Sequence, residues 1–235
     1  MTTKRSRVAS APQYSKPPRK IGVFDVVETP PKHRIETLSD GIFAVAMTLL
    51  ILDVKLPPVP HEISPIEYFN AVFALWPKIG IFIASFVVLA RAWEVHRYIF
   101  HSLIRSDHVL LYTNAVYLLS VIFLPFTTSL VGDHPNLSLS AAIYSCNYLA
   151  LAGFPLLMWL YATRQHRLVA SSISPAVVDW VKKRLSLSVV VFTITLAISP
   201  FSSELSVLLI FLYQLVMLIL PLFHRGYELR SQKEQ

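Results

Sequence analysis

Arg34-Ile35-Glu36-Thr37-Leu38-Ser39-Asp40 runs straight into Gly41-Ile42-Phe43-Ala44-Val45-Ala46-Met47-Thr48-Leu49-Leu50-Ile51-Leu52. The second part is apolar apart from the hydroxyl of Thr48, and the first sets an arginine, a serine and an aspartate at its mouth. Such a run reads as a helix made for hydrocarbon. A carboxylate at its edge costs roughly 2.5 to 3.5 kcal/mol on insertion scales. A sequence that keeps Asp40 there is expected to use it, for packing or for transport.

The rest of the chain continues in the same character. Hydrophobic residues make up 54% and charged ones 15% of the sequence, more apolar than a soluble domain of this length needs. Six segments approach or exceed the ~20 residues that carry a helix across ~30 Å of hydrocarbon. They are Ile35 to Leu56, Ala71 to Tyr98, Val109 to Val131, Leu137 to Tyr161, Leu185 to Pro200, and Glu204 to Phe223. The expected fold is therefore all-α, a polytopic integral membrane protein with six transmembrane helices. The fifth segment is short and close to the sixth, so a re-entrant hairpin stays open there.

Residues 1–29 are basic, with several prolines and serines and without the apolar stretch of a cleaved signal peptide. They read as a disordered cytoplasmic arm. Thr29-Pro30 suits an N-cap followed by proline in the first turn, which opens a transmembrane unit over residues 30–224. Residues 225–235 read as a cytoplasmic tail.

Charge placement orients the spans. The segment Met1 to Arg34 holds eight of the 21 basic residues, and the connections after the second and fourth segments hold Arg91, Arg97 and Arg105, then Arg164, Arg167, Lys182, Lys183 and Arg184. The alternate loops carry Glu62, Glu67, Asp133 and Glu204 instead. Lysine and arginine are retained on the cytoplasmic side, so both termini are expected there. Lys55 and Lys78 break the pattern at positions where a long stem can snorkel outward. The net charge of +7 is divided among connections facing one leaflet, which fits anionic lipid and not nucleic acid. Cys146 is the lone cysteine, which excludes an intrachain disulfide. Pro125 and Pro155, inside apolar runs, predict kinks or freed carbonyls.

The ordered set Arg34-x-x-x-Leu38-Ser39-Asp40, Trp93 and His96, Arg105 and Asp107, then Asn114 and Leu124-Pro125-Phe126 resembles the lysosomal potassium channel family, transmembrane protein 175. That family opens its pore-lining first helix with Arg-x-x-x-Phe-Ser-Asp, and this chain carries Leu38 in place of the Phe. The resemblance covers Arg34 to about Gly132, and beyond that only hydropathy agrees. The motif occurs once here. Single-repeat bacterial members form tetramers, so the resemblance implies a homotetramer around a central pore.

It also implies roles. The family places an Ile or Leu five residues after the motif aspartate at the narrowest point of the path. That position is Val45 here, with further apolar rings implied at Leu49 and Leu52. Thr48 falls where the family often has a hydroxyl close to the constriction, able to replace part of a cation's water shell. Val45 is smaller than the usual occupant, which implies a wider constriction and weaker selectivity for potassium over sodium. The conducted ion, K+, is then the only small partner implied, with no cofactor and no metal.

Helical geometry independently sets Val45, Leu49 and Leu52 in one stripe, extended by Leu38, Gly41 and Ile42, with Asp40, Ala44, Met47 and Ile51 on another face. Taken alone, the stripe equally suits packing against neighbours or lipid, and Thr48 equally suits a bond to a carbonyl one turn earlier. Asp40 shares a face with Glu36 and needs a partner from another helix. Trp93, His96 and Asn114 are the polar groups at the right depth, and a cytoplasmic-side network of these residues is expected to lock the first helix. Arg34 lies too far round the helix to pair with Asp40 and is expected to reach helix-end carbonyls or a lipid phosphate. The outer-loop acids Asp53, Glu62, Glu67 and Asp133 suit either a mouth that concentrates cations or ordinary loop charge.

Two other function classes remain in view. A secondary transporter, possibly proton-coupled, needs ionisable groups near the midplane and commonly an inverted repeat. Apart from Asp40 the spans are nearly free of acids, and no repeat is visible. An intramembrane enzyme would have only His96 with Glu94 or Asp107 to work with. No phosphate-binding glycine loop or paired cysteines occur, so no enzyme is expected.

Overall fold

The computed structural model describes residues 31–55, 58 and 63–231, with side chains through residue 218 apart from Asp53. The N-terminal arm and the Thr29-Pro30 pair lie outside the described residues. Helix α1 is Lys32–Leu49, begins directly after Pro31, and ends in a 3₁₀ turn over Leu50–Asp53. Then come α2 (Pro65–Phe73), α3 (Trp76–Ser102), α4 (His108–Asp133), α5 (Ser138–Thr163), α6 (Pro175–Ile198) and α7 (Ser203–Ser231). Among the described residues the sole β-type contact is an isolated antiparallel bridge between Leu103 and Val169.

Four stretches among the described residues are long and apolar enough to cross a membrane: Lys32–Leu52, Pro65–Ser102, His108–Asp133 and Ser138–His166. Ser203–Leu218 is a shorter apolar helix. Helix α6 starts well before the expected Leu185 and takes Lys182, Lys183 and Arg184 into its first turns. The two lysines are exposed, as long stems on a helix entering the headgroup layer would be. The second apolar segment is likewise divided, by a turn at Ala74 and Leu75 between α2 and α3. The prolines Pro125 and Pro155 sit inside α4 and α5.

Helix α5 is the hub of the bundle, packed on α3, α4, α6 and α7, whereas α1 packs on α3 and α4 at one edge. Polar side chains knit these contacts in an apolar setting where water cannot serve. Thr128 Oγ1 donates to Ser85 Oγ at 3.0 Å, Ser85 Oγ lies 3.1 Å from Tyr144 Oη, and Tyr144 and Tyr148 hydroxyls are 2.8 Å apart. These three ties span α3, α4 and α5. On the other side of α5, Ser145 and Ser206 hydroxyls lie 3.0 Å apart, and Ser206 Oγ donates to the Thr195 carbonyl at 2.9 Å.

At one end of the bundle the α3–α4 and α5–α6 connections dock on each other. The Ile104 amide donates to the Leu168 carbonyl at 2.9 Å, and the Arg105 guanidinium donates to the Arg167 carbonyl from Nε at 2.8 Å. Asp107 caps α4, accepting from the Leu110 amide at 2.9 Å, and accepts from Tyr161 Oη at 2.5 Å. Arg167 Nε lies 3.6 Å from the same carboxylate. Replacing Asp107 with Ala removes both cap and tie and is expected to destabilise the protein by about 1 to 2 kcal/mol. Asp107→Asn, which keeps a capping oxygen, should lose less. Thermal unfolding of the two purified variants in detergent checks the order.

Candidate functional site

The motif of α1 divides cleanly by face. Ile35, Ser39, Phe43, Ala46 and Leu50 are buried, while Leu38, Asp40, Gly41, Ala44, Val45, Thr48, Leu49 and Leu52 are exposed. Apolar burial alone would not fix the rotation of such a helix in hydrocarbon, because lipid is as apolar as the core. A polar relay supplies the specificity. Ser39 Oγ donates to the Ile35 carbonyl at 2.8 Å and accepts from Asn114 Nδ2 at 3.1 Å. Asn114 Oδ1 stands 2.9 Å from His96 Nε2. Because a hydroxyl, an amide and an imidazole each both give and take, α1, α4 and α3 are joined through one continuous chain of bonds.

Aromatic rings seal that relay. His96 stacks with Phe100 at 4.3 Å between centroids and with Tyr117 at 5.9 Å, while Phe43 of α1 is tilted against it at 5.8 Å. Tyr117 Oη donates to the Ala92 carbonyl at 3.2 Å.

Asp40 sits at the rim of the same contact. Its Oδ1 accepts from Trp93 Nε1 at 2.8 Å, and the Arg97 guanidinium lies 5.2 Å above the Trp93 ring. An indole that donates to a carboxylate while facing a cation has both its edge and its face satisfied. Trp93, His96 and Asn114 are thus brought together with Ser39 on the inner side of α1 and with Asp40 at its rim.

Three arrangements differ from those expected. Lys32, not Arg34, reaches helix-end carbonyls: its Nζ donates to Phe100 at 2.8 Å and Leu103 at 3.0 Å, and stands 3.6 Å from Glu36. The last carbonyls of α3 lack intrahelical donors, and Lys32 approaches them from the first turn of α1. Arg34 is exposed. Glu67 is a capping residue: its carboxylate accepts from the Ser64 amide at 3.0 Å, completing a capping box for α2. Asp133 is paired with Lys78 at 2.5 Å. Neither acid is therefore an uncommitted charge at the outer mouth; Glu62 and the Asp53 side chain lie outside the described residues.

His96 faces an amide, Asp107 is committed to α4 and Tyr161, and Glu94 is exposed, so these three do not form an acid–base set. Sequence reasoning missed Lys32 and Arg97. The spacing of Trp93 and Arg97 along one helix face was the available signal for the second.

The outward face of α1 differs from exposed faces elsewhere in the bundle. Exposed positions on α4 include Leu119, Ile122, Phe123 and Phe126, and those on α7 include Leu205, Leu208, Leu212 and Leu215. The α1 face instead interleaves Leu38, Val45, Leu49 and Leu52 with Gly41, Ala44 and the polar Asp40 and Thr48. Thr48 Oγ1 donates to the Val45 carbonyl at 2.8 Å. Its proton is thereby turned inward, and its oxygen keeps lone pairs that can accept from outside.

A family model described as the endosomal/lysosomal potassium channel TMEM175 matches residues 34–125. Potassium channel Cha6605_3372 of Chamaesiphon minutus is 34% identical over 178 residues, covering 74% of this chain and 87% of that protein. Potassium channel B446_29190 of Streptomyces collinus is 29% identical over 177 residues, covering 74% and 84% respectively. Among solved structures, the crystal structure of a lysosomal potassium-selective channel TMEM175 homolog from Chamaesiphon minutus superposes with a TM-score of 0.68 at 30% identity, covering 80% of this chain and 96% of that one.

Truncating Asn114 to Ala strands both the Ser39 hydroxyl and the His96 imidazole and is expected to destabilise the protein by about 2 kcal/mol. Trp93→Phe should cost less, because exposed Asp40 can turn to water. Unfolding temperatures of the two variants, compared in one detergent, test the ranking.

Proposed function

The chain belongs to the TMEM175 family of endosomal/lysosomal potassium channels, which are ion channels and not enzymes, and from that premise we propose that it forms a homotetrameric, potassium-permeable channel lined by α1. Four copies of the exposed α1 face surround the axis. Val45, Leu49 and Leu52 form successive apolar rings, with Thr48 between them. A path ringed by branched side chains and not by carbonyl oxygens makes a hydrophobic constriction, which conducts only when wetted. Monovalent cations shed part of their water there, and the Thr48 oxygens take up some of that coordination. At the cytoplasmic end the motif Arg34, Leu38, Ser39 and Asp40 is structural, with Ser39 and Asp40 holding α1 in place.

The observation that carries this reading is the two-sided character of α1. One face is pinned by Ser39 to Asn114 and His96, and the other carries small, polar and branched residues with no cover within the protomer. The protein is a multi-pass membrane protein. We place both termini in the cytoplasm on the strength of the basic connections, and the chain in the plasma membrane because the motif occurs once, as in single-repeat bacterial members.

Conduction needs no coupling ion and no conformational cycle, which separates it from a carrier. Purified protein in liposomes under a potassium gradient should pass K+ at channel rates without a second ion, whereas slow, saturable exchange would establish the carrier. Val45→Asn replaces the first apolar ring with amides that hydrate ions and is expected to raise K+ flux at least about tenfold while lowering K+ over Na+ discrimination. Unchanged flux and reversal potential in that variant would remove Val45 from the conduction path.

A further inference from the structure

A cavity of about 540 Å³ opens between α3, α5, α6 and α7. Its volume falls within the roughly 300 to 1,000 Å³ of small-molecule sites. Its inner body is apolar and buried, walled by Val88, Leu151, Ala152 and Phe192. Its outer end is cationic: Arg91, Arg97 and Arg184 line it, with Glu94 the only carboxylate among the lining residues described. Trp180, exposed on α6, stands at that end with the Arg184 guanidinium 5.3 Å above its ring.

Arg91 is the informative member. It lies three turns inside α3, about 16 Å from the helix end at about 1.5 Å per residue, and is half-buried. A guanidinium at such depth marks a functional partner by default. One of its N–H groups donates to the Met217 carbonyl, its only hydrogen-bond partner among the described residues. Arg184 lines the same cavity, with Glu94 as the one carboxylate near the pair among the lining residues described. Two guanidinium ions beside an apolar chamber repel each other in a weakly screening medium, and an anion between them reverses the sign of the interaction.

The chamber behind the charges selects the kind of anion. A small soluble phosphate would satisfy the arginines and leave the apolar body empty, whereas a zwitterionic lipid would fill the body without the net negative charge that three arginines against one glutamate call for. We propose that the cavity holds an anionic phospholipid, its phosphate between Arg91, Arg97 and Arg184 and an acyl chain in the body lined by Leu151, Ala152 and Phe192. Basic pockets between membrane helices near the cytoplasmic leaflet recognise headgroups in this way. The site does not rely on the pore reading, since its occupancy can be read without conduction.

The test uses the full chain, purified in neutral detergent and titrated under native mass spectrometry with phosphatidylglycerol, phosphatidylcholine or glycerol phosphate. Phosphatidylglycerol should be retained about tenfold more tightly than phosphatidylcholine, and glycerol phosphate should not be retained. The pair Arg91→Gln and Arg184→Gln should abolish that preference. Arg184→Gln alone, at a half-exposed position, should reduce it several-fold with an unchanged unfolding temperature, and it decides the matter if the double variant does not fold. Equal retention of the two lipids, a preference that survives in the arginine variants, or glycerol phosphate held as tightly as phosphatidylglycerol would each overturn the assignment.

Discussion

A single asparagine amide sets the register of this protomer. Asn114 gives its N–H to Ser39 of α1 and sets its carbonyl against His96 of α3, so three helices meet at one side chain that α4 carries. In water such a bond would be worth little, because solvent offers equivalent partners. Inside an apolar bundle the unpaired alternative is costly, which makes the relay directional where packing is not. Phe43, Phe100 and Tyr117 close over it and exclude water from the bonds. Everything argued for the outer face of α1 depends on this inner contact.

The remainder of the bundle uses the same principle with hydroxyls. Ser85, Thr128, Tyr144 and Tyr148 tie α3, α4 and α5, and Ser145 and Ser206 tie α5 to α7, each group reaching a partner that the membrane cannot supply. Glycine is scarce in the sequence, and no Gly-x-x-x-Gly pair is there to hold the helices together. Distributed small hydroxyls and large aromatic rings do that work. Docking of the α3–α4 connection on the α5–α6 connection, through Arg105, Asp107, Tyr161 and Arg167, closes one end of the bundle.

The helical, membrane-spanning character was legible in the sequence because apolar length is a one-dimensional property. The meeting of Asp40 with Trp93, and of Ser39 with Asn114 and His96, followed from scarcity: few polar groups lie at that depth, and buried ones have to pair. Lys32 and Arg97 were not legible, because flexible side chains at helix ends reach whatever the tertiary structure brings near. The capping role of Glu67 was missed despite an available signal, since Ser64-Pro65-Ile66-Glu67 carries the capping-box pattern just ahead of an apolar run. The early start of α6 was hidden by Lys182, Lys183 and Arg184, which hydropathy reads as loop and which a helix tolerates when the charges point outward.

Rotation ties the inner relay to the outer face. Turning α1 by one residue position, about 100°, would carry Ser39 away from Asn114 and lift Phe43 out of its cleft. The same turn would replace Val45 on the outer face with a neighbour, Ala44 or Ala46, which carries only a methyl. A ring of valines and a ring of alanines differ by two methyl groups per subunit, and apolar constrictions gate by how readily water wets them. The energy that resists such rotation is the loss of the Ser39–Asn114 hydrogen bond and of the Phe43 ring contacts, both on the buried side of α1. In the proposed pore, the character of the outer face and the fixity of the inner face are therefore one property of α1, set by Asn114.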